Sequence, residues 1–255
     1  MKLSVVTITF NDSAGLRKTS TSIPDDFVQW IIIDGSTDLE EKKRNAEISR
    51  RFNCEFLQEN DTGRFNAMNK GLALATGELV CFMNSGDSFA NKGVAKEICH
   101  SAEIFDWDWA VGQTQAINFD GKFLWSWLMP KHKSLRLKLC LRAYSHQATV
   151  YRTSRIRNLG GFYEDSLYSD WLLSLRLAQI ARPHEEANLW CYFLAGGISA
   201  QQTITYWKNE CVRLRRLYKL YITGTRIGDL IFQEITALLL RIDRRSTLLM
   251  RPDLK

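Results

Sequence analysis

Several features that would settle the class of this chain at once are missing, and each absence narrows the field. Its six cysteines (Cys54, Cys81, Cys99, Cys140, Cys191 and Cys211) contain no C-x-x-C pair. That spacing argues against zinc ligation and fits scattered buried thiols in a reducing compartment. No run reaches the roughly 20 apolar residues that a membrane-spanning helix requires. Met1-Lys2 leads straight into a strand pattern, without the apolar region and small-residue cleavage site of a signal peptide, so a cytoplasmic protein is expected. There is no internal repeat and no low-complexity tract. Thr7–Leu16 holds a single glycine, Gly15, too few for the Gly-rich phosphate-cradling loop of a nucleotidyltransferase. No nucleic-acid-binding motif is recognisable, so nucleic acid is not an expected partner.

What remains is an ordinary globular balance. The 255 residues are 45% hydrophobic and 24% charged, enough for one large α/β domain with a core, or for a domain plus an appendage. Thirteen Phe, eight Trp and eight Tyr suit a pocket that grips flat bases or sugar faces, or serve as core. The charge is unevenly placed. Residues 1–200 carry 23 Lys+Arg and 23 Asp+Glu, whereas 201–255 carry 11 against 5, the whole excess of six. A basic tail on a neutral body points to an anionic partner surface. The expected organisation is therefore a domain over 1–200 and a basic, mainly helical extension over 201–255.

Leu3–Phe10, Trp30–Ile33, Cys54–Gln58 and Leu79–Met83 read as strands, three of them apolar runs stopped by Asn, Asp, Gly or Ser. Ser13–Ser22, Asp38–Phe52 and Arg64–Ala75 read as helices between them, the last with Gly77 as its C-cap. Strands alternating with helices imply a mostly parallel sheet, which binds ligands beyond its strand C-termini. Trp109–Phe119 and Lys122–Trp127 flank Asp120-Gly121, a hairpin turn signal. Lys131–Arg142 is a basic stretch, Ser145–Tyr151 a further strand and Asp170–Ala181 a helix.

Carboxylates at the ends of apolar strands are costly unless they have partners. Asp34, in Ile31-Ile32-Ile33-Asp34-Gly35-Ser36, suits either a nucleobase N–H or a helix N-cap. Asp87, after Val80-Cys81-Phe82-Met83, suits either a hard divalent cation or a turn. Asp170 stands near a helix start, where it or Ser169 also suits an N-cap.

As a set, Asp34-Gly35-Ser36-Thr37-Asp38, Asp61-x-Gly63, Ala67-Met68-Asn69-Lys70-Gly71, Ala75-Thr76-Gly77 and Asn84-Ser85-Gly86-Asp87 resemble the family-2 glycosyltransferases with the GT-A fold. The likeness is to the bacterial branch that builds exopolysaccharide, capsule, O-antigen and colanic acid. Ser145-His146-Gln147-Ala148-Thr149, Gly160-Gly161-Phe162 and Ser169-Asp170-x-x-Leu173 continue it in the same order, over about residues 3–200. The resemblance implies an α/β fold with a Rossmann-like, mostly parallel sheet and a sugar transferase using a nucleotide-sugar donor, UDP by family habit. Thr7 and Phe10 would lie beside the nucleobase and Asp34 would bind it. Ser36, Asp61, Asn69, Lys70, Ser85 and Gly86 would shape the nucleotide pocket. Asp87 would hold a divalent metal, Mn2+ or Mg2+, on the donor diphosphate. Asn84 and Gly86 stand where relatives carry acids, so that metal would be shared with the donor. Asp170 would be the base of an inverting displacement, and His146, Gln147 and Gly161 would face donor or acceptor. His146 alone also fits a structural role, and Gly160-Gly161 a turn.

The acceptor implied is a glycan or lipid-linked glycan, in bacterial surface polysaccharide synthesis. The basic stretch Tyr206–Tyr221 and the more apolar Ile227–Ile242, with Arg241, Arg244, Arg245 and Arg251 at and beyond its end, then suit either an anionic membrane surface, at the inner face of the inner membrane, or helices that cap the core. A nucleotide-sugar-binding protein without catalysis is the competing reading, raised by the single acid of Asn84–Asp87. A nucleotidyltransferase on a related α/β fold is a further alternative.

Overall fold

The computed structural model describes residues 1–24, 28–127, 142–196 and 203–220, with 129, 135, 139, 225, 227–232, 234, 235 and 238. The chain divides into two compact units. One comprises 1–128, 144–165 and 180–195, the other 129–143, 166–179 and 196–255.

The first unit is built on a sheet of nine described strands: β1 (Leu3–Thr9), β2 (Val28–Asp34), β3 (Cys54–Gln58), β4 (Leu79–Asn84), β5 (Ser88–Phe89), β6 (Trp109–Ile117), β7 (Phe123–Ser126), β8 (Thr149–Arg152) and β9 (His184–Leu194). Their order is β3-β2-β1-β4-β8-β6-β9-β5, with β7 beside β6. The first four are parallel. Their apolar runs follow from burial on both faces, since Val5, Val6, Ile31, Ile32, Ile33, Cys81 and Phe82 are all 0% exposed. Beyond β4 the pairing is antiparallel except for β6 with β9. This mixed half was only partly legible: β5 and β9 carry no clean period in the sequence, whereas the helix Val94–Phe105 does, burying Val94, Ala95, Ile98, Cys99 and Ala102 on one face.

Register levels the strand ends. Thr9 faces Asp34, Ile8 faces Asn84, and Asp34 faces Gln58, so the loops after β1, β2, β3 and β4 leave the same edge. The helices between these strands are α1 (Ser13–Ser20), α2 (Leu39–Ser49) and α3 (Arg64–Leu74); α4 (Val94–Phe105) and α5 (Thr153–Asn158) follow. Asp12 and Asp38 cap α1 and α2 by accepting from the Gly15 and Glu41 amides, the role that local chemistry had also offered Asp34.

Two expectations need correction. The C-cap of α3 is Ala75 in extended conformation, not Gly77. Gly77 instead donates to Ser4 Oγ and packs its Cα against the Lys2 carbonyl. The first half of Ser145–Tyr151 is a single 3-10 turn, His146–Ala148, before β8 begins.

The second unit contains α6 (Ser169–Leu177) and α7 (Ile204–Leu217), with helical residues at 227–232. Much of the basic charge of α7 is paired within this unit. Arg213 meets Glu210, Lys208 meets Glu234, and buried Arg215 lies 3.4 Å from buried Asp229. Most of Lys131–Arg142, and all of 239–255 with its four arginines, lie outside the described residues. Among the described residues no helix is long and apolar enough to cross a membrane.

Candidate functional site

The strand edge at β1 and β2 carries the first half of the site. Asp34 is 0% exposed. Its Oδ1 accepts from the Ser36 amide at 2.9 Å and its Oδ2 from Gln58 Nε2 at 2.7 Å, the latter because β3 places Gln58 opposite it. Ser36 Oγ accepts from the Asn11 amide and from Asn45 Nδ2. Phe10 is 59% exposed at the same edge, whereas Thr7 is fully buried and accepts from the Trp30 indole. Thr7 therefore braces the sheet in this structure and Phe10 offers the open face.

Asn11 was absent from the sequence-derived set, yet it ties this edge together. It sits at φ 50, the left-handed region that Asn tolerates well. Its Oδ1 accepts from the amides of Thr37 and Asp38, and its Nδ2 donates to Thr37 Oγ1. The signal was present in Asn11-Asp12 at a strand end, where it reads as a generic turn.

Asp61 reaches this edge from the loop after β3. Its Oδ2 lies so close to Gly35 that an added Cβ would stand 1.8 Å away, so glycine is needed there for close approach. Lys70 holds the same loop, donating to the Asn60 carbonyl at 2.6 Å and pairing with Glu59 at 2.8 Å. Asn69 is occupied elsewhere: it accepts from the Phe162 amide and donates to the Phe162 carbonyl and Glu164. It anchors the loop of Gly161, whose amide closes α5 onto the Ile156 carbonyl.

The second half is the turn after β4. The Asp87 amide closes the turn onto the Asn84 carbonyl. Thr19 of α1 grips it with one hydroxyl, accepting from the Gly86 amide and donating to the Asp87 carbonyl. Gly86 stands at φ 91 with Leu194 Cδ2 only 2.5 Å from where a Cβ would be. Glycine here is thus a backbone requirement rather than a lost acid. Ser85 donates from its amide to the Ile8 carbonyl. Asp87 itself is 2% exposed; Oδ1 accepts from the Leu194 amide at 2.8 Å and Oδ2 from Gln147 Nε2 at 3.0 Å. Burial pushes its carboxyl up to about 6, against the opposing pull of those hydrogen bonds and of nearby His146. His146 Nε2 lies 3.2 Å from Asn84 Nδ2.

A divalent cation takes oxygen ligands, usually one or two protein groups completed by phosphate and water. Asn84 Oδ1 is buried without a hydrogen-bond donor, and each Asp87 oxygen keeps a lone pair beyond the bond it accepts. Among the described residues no group of three or more His, Cys, Asp or Glu is placed to hold a metal. The residues therefore fit a cation as a partial set that diphosphate oxygens would complete.

In the second unit, Asp170 occupies the first turn of α6, partly exposed. Neither it nor Ser169 is the N-cap; that position is Tyr168, without a side-chain cap bond. Asp170 Oδ1 accepts from the Trp171 amide, and the buried Trp171 indole donates to the Leu139 carbonyl, fixing the helix start. Ser169 is 1% exposed and its hydroxyl has no hydrogen-bond partner.

Comparison with known proteins matches residues 4–158 to glycosyl transferase family 2. Two uncharacterized glycosyltransferases, from two strains of Mycobacterium tuberculosis, are each 27% identical over 242 residues, covering 88% of this chain and 87% of theirs. The structure of S. aureus TarS in complex with UDP aligns with a TM-score of 0.65 at 18% identity, over 85% of this chain. This chain spans 64% of that one, just under two thirds of its length. The mannosyltransferase PcManGT from Pyrobaculum calidifontis, solved with GDP-Man and Mn2+, aligns with a TM-score of 0.57 at 14% identity, over 96% of this chain and 75% of its own. These likenesses establish a GT-A-like α/β fold. With the family match covering well over half its length and the strand-end loops standing where such a fold binds ligands, this chain belongs to glycosyl transferase family 2.

Proposed function

We propose that the chain is an inverting glycosyltransferase that moves a hexose from a nucleotide diphosphate sugar, UDP-linked, to a hydroxyl of a glycan or lipid-linked glycan in bacterial surface polysaccharide synthesis. The observation that carries this reading is the gathering of Phe10, Asp34, Asp61 and Asp87 on loops leaving one sheet edge. Sheets of this kind bind ligands there. Phe10 offers an exposed ring to a base, the Asp34–Asp38 and Asp61 loops offer carboxylates, and the Asn84–Asp87 turn offers oxygen to a cation. Mn2+ or Mg2+, held by Asp87 with Asn84, would supply charge neutralisation for the leaving diphosphate.

The chemistry assigned to the chain's own residues is a single displacement. The acceptor oxygen forms a bond to the anomeric carbon as the bond to the donor phosphate breaks. The hydroxyl proton passes to the Asp170 carboxylate, and the nucleoside diphosphate leaves with the bonding electron pair. Thermal shift against UDP-, GDP- and dTDP-sugars, each with and without Mn2+, tests the donor. A rise with a UDP-sugar is expected; no shift with any nucleotide sugar refutes the reading.

The lone carboxylate of the Asn84–Asp87 turn favours one rival, a nucleotide-sugar-binding protein without catalysis. Donor hydrolysis or transfer by the wild type, lost in Asp87→Ala and Asp170→Asn, excludes it. For the 201–255 extension we propose peripheral attachment to an anionic membrane face. Its support is the net charge of six and the exposed side chains of Ile227, Ile231, Ile235 and Leu238. Full-length protein that sediments equally with anionic and zwitterionic vesicles would rule that out.

A further inference from the structure

We infer that Gln147 is a positioning residue for Asp87, itself aimed by Ser145, and does not touch donor or acceptor; this rests on the reading that Asp87 holds the metal. The 3-10 turn His146–Ala148 is closed by the Ala148 amide on the Ser145 carbonyl, which also accepts from Thr149 Oγ1 at 2.7 Å. Gln147 is 4% exposed and both ends of its amide are engaged. Ser145 Oγ donates to Oε1 at 2.8 Å, and Nε2 donates to Asp87 Oδ2 at 3.0 Å.

The order of these bonds matters. A glutamine amide can face a carboxylate with either end, and only the NH2 end is attractive. By occupying Oε1, Ser145 leaves the donor end for Asp87. The Leu194 amide holds the other Asp87 oxygen at 2.8 Å, so the carboxylate is fixed at both oxygens and presents its remaining lone pairs in one orientation. Partners behind a metal ligand that orient it in this way are typically worth about 10–100-fold in metal affinity. Gln147 keeps a second N–H and a second carbonyl lone pair, but at 4% exposure they are closed off from a sugar hydroxyl.

The test measures Mn2+ binding to the full-length protein by electron paramagnetic resonance, with UDP saturating, alongside kcat and donor KM. Gln147→Leu is expected to weaken Mn2+ binding about 10–100-fold. Ser145→Ala should weaken it less, and Ser145→Thr, which keeps the hydroxyl, should restore it. UDP affinity without metal should not move in any of them. In an Asp87→Asn background, Gln147→Leu should cause no further loss of Mn2+ binding or kcat, because a residue acting through Asp87 has nothing left to orient. Multiplying losses in that double variant, or unchanged Mn2+ affinity in Gln147→Leu, overturn the inference. If Gln147→Leu does not fold, the Ser145 pair decides: equal Mn2+ affinity in Ser145→Ala and wild type counts against it. Wild-type protein that binds UDP but takes up no cation refutes the metal reading and this inference together. Normal wild-type uptake with indifferent variants refutes this inference alone.

Discussion

Asp34 ends β2 and Asp87 lies in the turn after β4 at the same sheet edge; both are buried, and both have each carboxylate oxygen hydrogen-bonded. Their partners differ. Asp34 is held by Ser36, two residues on, and by Gln58 on the adjoining parallel strand. Asp87 is held by Gln147 and Leu194, 60 and 107 residues away. The first turn is thus built by its own neighbourhood and the second by the mixed half of the sheet. Disturbing the second should therefore cost more, in stability as well as in activity.

The largest effect expected is on catalysis. Asp170→Asn should lower kcat by about 10²–10⁴-fold, the usual worth of a general base, with donor KM little changed, as measured by initial rates of transfer. Asp87→Ala should lower kcat to a similar degree while also weakening nucleotide-dependent metal uptake. Rates equal to wild type in both would leave the two turns functionally indistinguishable and the enzyme reading without support.

Backbone differences come next. Gly86→Ala meets Leu194 at a positive φ, combining left-handed strain with overpacking, and should destabilise by about 2–4 kcal/mol in denaturant titration. Gly35→Ala meets only the Asp61 side chain, which can swing aside at the cost of its bond from the Gly63 amide. It should cost under about 1 kcal/mol but raise donor KM. Equal destabilisation of both variants would break the comparison.

Proton linkage sharpens it further. The Asp87 carboxyl is raised to about 6 in the folded protein from an ordinary value of 3.8, so the ionised form opposes folding. That penalty is absent below about pH 4, grows as pH rises, and is complete above about pH 6. Over that window Asp87 should remove roughly 2–3 kcal/mol of stability. Asp87→Asn should flatten the stability–pH curve between pH 4 and 6, whatever its constant offset; an unchanged slope would show that burial is not what sets this carboxyl. The smallest effect belongs to Asn11→Ala, expected to raise donor KM several-fold with kcat retained, as about 1 kcal/mol of loop anchoring is lost.

The parallel half was legible because burial on both faces writes itself as unbroken apolar runs, and because turn residues stop those runs where carboxylates follow. Asp38 announced the start of α2 in the same way. The mixed half was not, since β9 is buried mainly at Trp190 and Cys191 and opens on the polar His184, Glu185, Glu186 and Asn188. No period marks it as a strand, so the Leu194 amide could not be foreseen as a partner of Asp87. The constraint on Gly86 was hidden for a related reason: the resemblance shows which acid is absent, while the φ angle that excludes a side chain exists only in the fold. Asn69 and Thr7 suited a pocket by type, but their hydrogen bonds go to the Phe162 loop and to Trp30.

One detail of the sheet edge reaches beyond the site. The ladder of β1 does not stop with its strands: the Gly35 amide donates to the Thr9 carbonyl and the Ser85 amide to the Ile8 carbonyl. The first residues of both loops are thereby clamped to a single strand, and little backbone there is left to freeze when a donor arrives, which lowers the entropic cost of binding. The same clamp sets where the chain can lengthen. Insertions directly after Asp34 or Asn84 would unseat both halves of the pocket at once, whereas the Asp120-Gly121 hairpin tip, with open space around Gly121, can absorb them freely.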